Sequence, residues 1–143
     1  MPTRPQGVTL IELLVVVVIV AIMTSAAVPS YRRYLLRAHR VEAKTALLNL
    51  AAAQERFYLQ NNGYAGHSAL ATAPPDGLGL AETTGNGWYT IAITAASTTH
   101  FSATATAVGA QSADDACVIF TIDSLGVRGA TDHGGTPSTT CWN

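Results

Sequence analysis

LIELLVVVVIVAIMTSAAV, residues Leu10–Val28, decides how the rest of the chain is read. These 19 residues hold one charge, Glu12. As an α-helix the stretch spans about 28 Å, close to the hydrocarbon thickness of a bilayer. Pro29 follows, then Arg32, Arg33, Arg37 and Arg40. Three readings fit. One is a secretory signal, with Arg4 as its basic start, Leu13–Met23 as its apolar centre and Ser25-Ala26-Ala27 as a small-residue cleavage site. The second is a plain signal anchor, and taken alone the four arginines favour the cytoplasmic side. The third is a short leader, MPTRPQG, cut just before the apolar run, so that the helix stays on the mature protein.

Composition narrows the choice of class. Of 143 residues, 48% are apolar and 12% charged, the opposite of a disordered chain. The net charge of −1 gives no global polycation of the kind that coats nucleic acid. The charge is divided, however. Residues 1–56 sum to +4, whereas residues 57–143 carry Arg128 alone against six acids and sum to −5. Two parts with different surroundings are expected. Cys117 and Cys141 cannot make a four-ligand zinc site alone. A single disulfide is their simplest use in an exported chain, and two free buried thiols are the alternative. A bridge would close a loop containing GATDHGGTPSTT, which has little core of its own, and would contribute about 3 kcal/mol.

Helix signals continue past the apolar run. Residues 31–60 lack Gly and Pro and are rich in Ala, Leu, Arg, Glu and Gln. Leu47, Leu50, Ala51, Gln54, Phe57 and Tyr58 share one face, with Gln54 its only polar member. Asn61-Asn62-Gly63 is a stop signal. One helix from about Val8 to Asn61, some 80 Å long, is therefore expected, with Pro29 and Ser30 as a place to bend or unwind. Residues 62–87 read as a loop. Within 88–95, Tyr89, Ile91 and Ile93 fall on one face, and within 101–107, Phe101, Ala103, Ala105 and Ala107 do the same. CVIFTID, residues 117–123, reads as a buried strand, and a short strand is expected around Val127. The fold class is α+β: a long helix whose amphipathic second half carries a small antiparallel meander.

No catalytic set emerges. The four histidines are scattered, and neither HExxH nor GxSxG occurs. Asp114-Asp115 and Asp132-His133 read as solvated turns and supply too few ligands for a metal. Trp88, Tyr64 and Trp142 are candidates for stacking on bases, or else for core and disulfide cover. Arg128 is a possible DNA contact, although backbone neutralisation usually takes several Lys or Arg.

GVTLIELLVVVVIVAI, with Gly7 ending the polar leader and Glu12 a few residues beyond, resembles the class III signal of type IV pilins and pseudopilins. Later stretches, AQERFYLQNNGYAG, GWYTIAIT, CVIFTIDSLGVRG and the final CWN, resemble PilE-type minor pilins, a group that includes competence pilins. The resemblance implies the type IV pilin fold, cleavage between Gly7 and Val8 by a prepilin peptidase, and methylation of the Val8 amine. It implies a cleaved leader 1–7, a transmembrane and assembly helix 8–30, and a globular domain 31–143. That domain would contain an amphipathic helix 31–61, loop 62–87, sheet 88–129 and a disulfide-closed loop 117–141. The implied role is a structural subunit, a minor pilin, that is not an enzyme and takes no cofactor or metal. Its partners would be other pilin subunits, and its places the inner membrane and then the extracellular pilus of a Gram-negative bacterium. A DNA-uptake pilin and a type II secretion pseudopilin are the alternatives. Glu12 is the expected assembly residue on physical grounds as well. A carboxylate in a membrane helix costs about 2.5 kcal/mol or more unless partnered. A free amine at Val8, with a pKa of about 8 in water, would supply the partner on the same helix or from a neighbour.

Overall fold

The computed structural model describes residues 7–143, so all of the expected leader except Gly7 lies outside the described residues. One helix, α1, runs over Leu10–Asn61. The sheet contains β1 (Tyr89–Ala96), β2 (Phe101–Ala107), β3 (Ile119–Asp123) and β4 (Arg128–Thr131). Single 3-10 turns occupy His67–Ala69 and Gly109–Ala113. The chain forms two compact units, Met1–Leu35 and Leu36–Asn143, and α1 passes from one into the other.

Thr9 starts α1. Its Oγ1 accepts the Glu12 N–H at 3.3 Å, and its carbonyl accepts the Leu13 N–H at 3.2 Å. The helix continues through Pro29 and Ser30, so the expected unwinding there does not occur. Proline removes one intrahelical donor, and Ala26 and Ala27 before it with Arg32 and Arg33 after it, good helix formers, carry the ladder past it. At the far end Asn62 adopts φ 54° and its N–H bonds to the Tyr58 carbonyl at 2.9 Å. Asparagine tolerates this left-handed closing position, which ends the helix where the sequence predicts.

The second unit is built on one face of α1. Ala43, Leu47, Leu50, Ala53 and Gln54 are buried. The four strands form an antiparallel meander in chain order, and the inward rows Tyr89, Ile91 and Ile93, Phe101 to Ala107, and Phe120 and Ile122 complete the core. Alanines at 103, 105 and 107 keep β2 shallow, which leaves room for the helix. Gln54, the polar outlier of the helix face, is fully buried and pairs both ways with the backbone of Ala65: Nε2 donates to the carbonyl and Oε1 accepts the N–H, each at 2.8 Å. A buried amide satisfied on both sides carries no desolvation debt.

Two strand readings need correction. Residues 117–123 are not buried on both faces. β3 begins at Ile119 and alternates, with Phe120 and Ile122 inward, because the other side of the sheet is left uncovered. Val127 is not the strand centre either. It is 60% exposed in the turn, and β4 starts one residue later. That turn has a twin. Asp123 Oδ1 accepts the N–H groups of Leu125 and Val127, and Asp132 Oδ1 accepts those of Gly134 and Thr136. Each turn has a left-handed glycine three residues after the aspartate, Gly126 at φ 76° and Gly135 at φ 80°. Asp132 therefore shapes a turn with its carboxylate, as short acidic side chains do.

Each sheet edge is covered over part of its length. Beside β1, the Ile91 N–H bonds to the Glu82 carbonyl at 2.7 Å, and the Thr84 N–H to that of Tyr89 at 2.9 Å. Beside β4, the Ser138 N–H bonds to the Ala130 carbonyl at 2.8 Å. Loop 62–87 is packed by its own side chains, with Ala65, Leu70 and Leu78 buried. A Cβ at Gly77 would lie 2.4 Å from two backbone carbonyls, so only glycine fits. Cys117 and Cys141 form a disulfide, with Cα atoms 5.8 Å apart, and both are fully buried.

Candidate assembly helix and the surfaces around it

Gly7, Val8 and Thr9 are non-helical and exposed, and Val8 is 73% accessible. Glu12 is the third helical residue after the Thr9 cap. Thr9-x-x-Glu12 is thus the sequence pattern of a capping box, a signal the motif search above passed over. A carboxylate there also complements the positive end of the helix dipole. Every residue from Leu10 to Val28 is exposed. This is a helix long and apolar enough to cross a membrane, with none of its apolar window buried. Its two hydroxyls are satisfied internally: Thr24 donates to the Val20 carbonyl and Ser25 to the Ile22 carbonyl, each at 2.7 Å. The segment therefore presents hydrocarbon with little unpaired polarity, as lipid or a neighbouring helix requires.

In the second unit, polar groups tie the start of its helix to the turn before β3. Arg40 donates to both Asp114 oxygens, from Nε and Nη2, at 2.7 Å each. Gln111 Nε2 donates to the Leu36 carbonyl at 3.0 Å and to the Tyr89 hydroxyl at 2.9 Å. Its Oε1 lies 2.9 Å from His39 Nδ1, which is the donor because an amide oxygen only accepts. The His39 ring stacks on Trp88, with centroids 4.4 Å apart. Burial pushes the Tyr89 phenol up to about 12, helped by the charge of Asp114 and opposed by the Gln111 bond and by Arg40. Hydrogen bonding to Asp114 raises Arg40 further, against a smaller cost from burial. Asp114 is thus not a solvated turn residue: it is buried and paired, whereas Asp115 beside it is exposed. Nothing in the sequence marks Gln111 or joins Arg40 to a residue 74 positions away.

Arg128 is exposed, with its guanidinium 5.4 Å from the centre of the Trp142 ring. Trp142 donates Nε1–H to the Gly129 carbonyl at 2.7 Å and meets Phe120 edge-on. Lys44 reaches the main-chain oxygen of Asn143 at 3.0 Å. Burial pulls the Lys44 ammonium down, and Arg40 adds to the effect. The three aromatics considered for base stacking are all engaged within the fold: Trp88 on His39, Tyr64 against Tyr58 and Phe101, and Trp142 as above. Among the described residues, no three His, Cys, Asp or Glu side chains converge on a metal position.

Residues 29–121 match the family described as type IV minor pilin ComP, DNA uptake sequence receptor. The chain belongs to this family. Residues 3–28 of the pilin match the prokaryotic N-terminal methylation motif. Over 61 residues it is 39% identical to the type IV major pilin protein PilA of Myxococcus xanthus, covering 43% of this chain and 28% of that one. Over 71 residues it is 35% identical to a fimbrial protein of Neisseria meningitidis serogroup B, covering 50% of this chain and 42% of that one. The matched stretch thus spans less than half the length of either relative. The crystal structure of the non-core minor pilin PilV of Neisseria meningitidis has the same fold. Its TM-score is 0.52 at 20% identity, covering 74% of this pilin and 96% of PilV. Arg128, Cys141 and Trp142 lie beyond the stretch matched to the ComP family.

Proposed function

We propose that this pilin is a structural, minor subunit of a type IV pilus, and that it works by assembly and not by catalysis. The observation that carries this reading is the fully exposed apolar helix of membrane length, joined to a domain with its own closed core. Before assembly the helix resides in the inner membrane of a Gram-negative cell. A prepilin peptidase cuts between Gly7 and Val8, and Val8 is methylated. The new amine pairs with Glu12 and sets axial register, while Val15–Val20 and Ile22 pack against other pilin subunits. The filament then emerges outside the cell. Capping by Thr9 supports the Glu12 role, because it fixes the first turn one step from Val8.

Mass spectrometry of the mature chain tests the reading, with N-methylated Val8 as the expected first residue. A chain beginning at Val28 overturns it. Glu12→Ala is expected to leave processing intact and to remove the pilin from sheared filaments, and normal incorporation would count against the assembly role.

A second reading, DNA contact, is favoured by one arrangement: Arg128 on Trp142, with Lys44 on the adjoining Asn143. Two cations held beside adjoining residues suit a phosphate backbone. Gel shifts of the detergent-purified pilin across a salt series check this, with Arg128→Ala expected to weaken binding. Absence of binding at low salt removes it.

A further inference from the structure

The outward face of the sheet carries hydroxyls and little charge. On β2, Ser102, Thr104 and Thr106 alternate with the buried row, and on β3 Ile119, Thr121 and Asp123 do the same. The register sets Ser102 beside Asp123 and Thr104 beside Thr121. Side chains paired across a ladder stand about 5 Å apart, and those on one face of one strand about 7 Å apart. These four therefore make a small rectangle of polar groups. A groove of about 270 Å³ lies over it.

The groove is shaped by departures from a regular sheet. Thr94 forms one wall, where β1 slips register between Ile93 and Ala95 and the Thr94 hydroxyl donates to the Ser102 carbonyl at 3.1 Å. Bulges of this kind re-aim side chains. Val127 forms another wall, its N–H held by Asp123 Oδ1. Gly129 pairs with Thr121 and keeps the floor open, because a Cβ there would lie 2.7 Å from Thr121 Oγ1.

The lining selects the occupant. Ser102, Thr104 and Thr121 are half-buried, and their hydroxyls both donate and accept. Asp123 spends Oδ1 on its own turn and presents Oδ2, an acceptor only. Among the described residues no Lys or Arg lines the groove, so Asp123 repels a phosphate group with nothing to offset it. One carboxylate is too few for a calcium or magnesium ion. β2 and β3 are inner strands with their backbone groups paired on both sides, so an added peptide strand finds nothing to bond. A neutral polyol meets every group: its hydroxyls pair with Asp123, Ser102, Thr104 and Thr121, and its C–H face rests on Val127 and the threonine methyls. The volume falls below that of drug-sized pockets and leaves room for a single sugar ring.

We propose that the outward groove over β2 and β3 is a binding site for a neutral carbohydrate, held by Asp123 Oδ2 and the hydroxyls of Ser102, Thr104 and Thr121. Arg128 lies outside this lining, so the site is separate from the DNA reading above, and it does not depend on the filament role. Full-length pilin with isotope-labelled threonine methyl groups, held in a detergent without a sugar headgroup, tests it by NMR. The probes are the methyl glycosides of glucose, galactose, mannose and N-acetylglucosamine. With at least one of them the methyl signals of Thr94, Thr104 and Thr121 are expected to shift saturably in the millimolar range, while exposed Thr139 stays unchanged. The Thr104→Val, Thr121→Val double variant keeps shape and strand preference but loses both hydroxyls, and should weaken binding read at Thr94 about tenfold. Asp123→Asn keeps the turn, because an amide oxygen accepts the same two N–H groups, and should weaken binding about fivefold. No saturable shift with any of the four glycosides, unchanged affinity in either variant, or displacement of the sugar by equimolar sodium phosphate overturns the site.

Discussion

Leu13 and Leu47 lie on the same helix and meet opposite fates. Leu13 is 60% exposed, and Leu47 is fully buried. From Leu13 to Met23 the helix is apolar on every side, whereas around Leu47 only one face is apolar, and that face meets the sheet. The difference teaches where each half finds its stability. Residues 43–54 bury their hydrocarbon within the chain, at about 25 cal/mol per Å². Residues 10–28 must find lipid or other helices, because one chain of this length cannot cover them.

The contrast yields three tests. The largest effect is expected from Leu50→Ala, which opens a cavity in the domain core and costs about 3–5 kcal/mol. Val17→Ala, at a residue 58% exposed, should leave domain stability within about 0.5 kcal/mol. Thermal denaturation in detergent, followed by near-ultraviolet dichroism, reads both. Equal losses would erase the distinction between the two halves.

A second test sharpens the comparison at the far end of the domain. The Cys117→Ser, Cys141→Ser double variant should lose about 3 kcal/mol on the loop-closure model. Limited proteolysis should then nick residues 131–140 well before any part of the Leu50 core. Unchanged resistance there would show that β4 and its twin turns hold without the bridge.

The smallest effect is a pH dependence confined to the buried half. Folded Tyr89 keeps its proton until about pH 12, whereas the unfolded phenol loses it near the ordinary value of 10. Between these values the folded state binds the extra proton. Stability present below pH 10 therefore falls as pH rises towards 12, by at most about 1.4 kcal/mol per pH unit. Comparing alkaline melts of the wild type with those of Tyr89→Phe isolates the effect, and identical slopes would remove Tyr89 as its source.

Much of this was legible in residue order. Periodicity predicts which side chains of β1 and β2 turn inward, and Asn61-Asn62-Gly63 marks the helix end to the residue. Gln54 stands out as the polar member of an apolar face, but its partner, the Ala65 backbone, belongs to a loop with no periodic signal. The candidate assembly site was readable because it is local: Gly7, the apolar run and Glu12 sit within a few residues of one another. Arg128 was readable only as an isolated cation. Its place over Trp142 depends on how β4 and the chain end come together.

The sequence alone determined the helix, its membrane-length apolar half, the strand alternation and the split of charge, because each follows from neighbours along one chain. Only the tertiary structure decided that Asp114 is paired with Arg40 and not solvated, that Val127 belongs to a turn, and that each sheet edge is covered over part of its length. Those outcomes depend on which distant groups arrive at the same place, and burial rewards or penalises a polar group only once its partners are there.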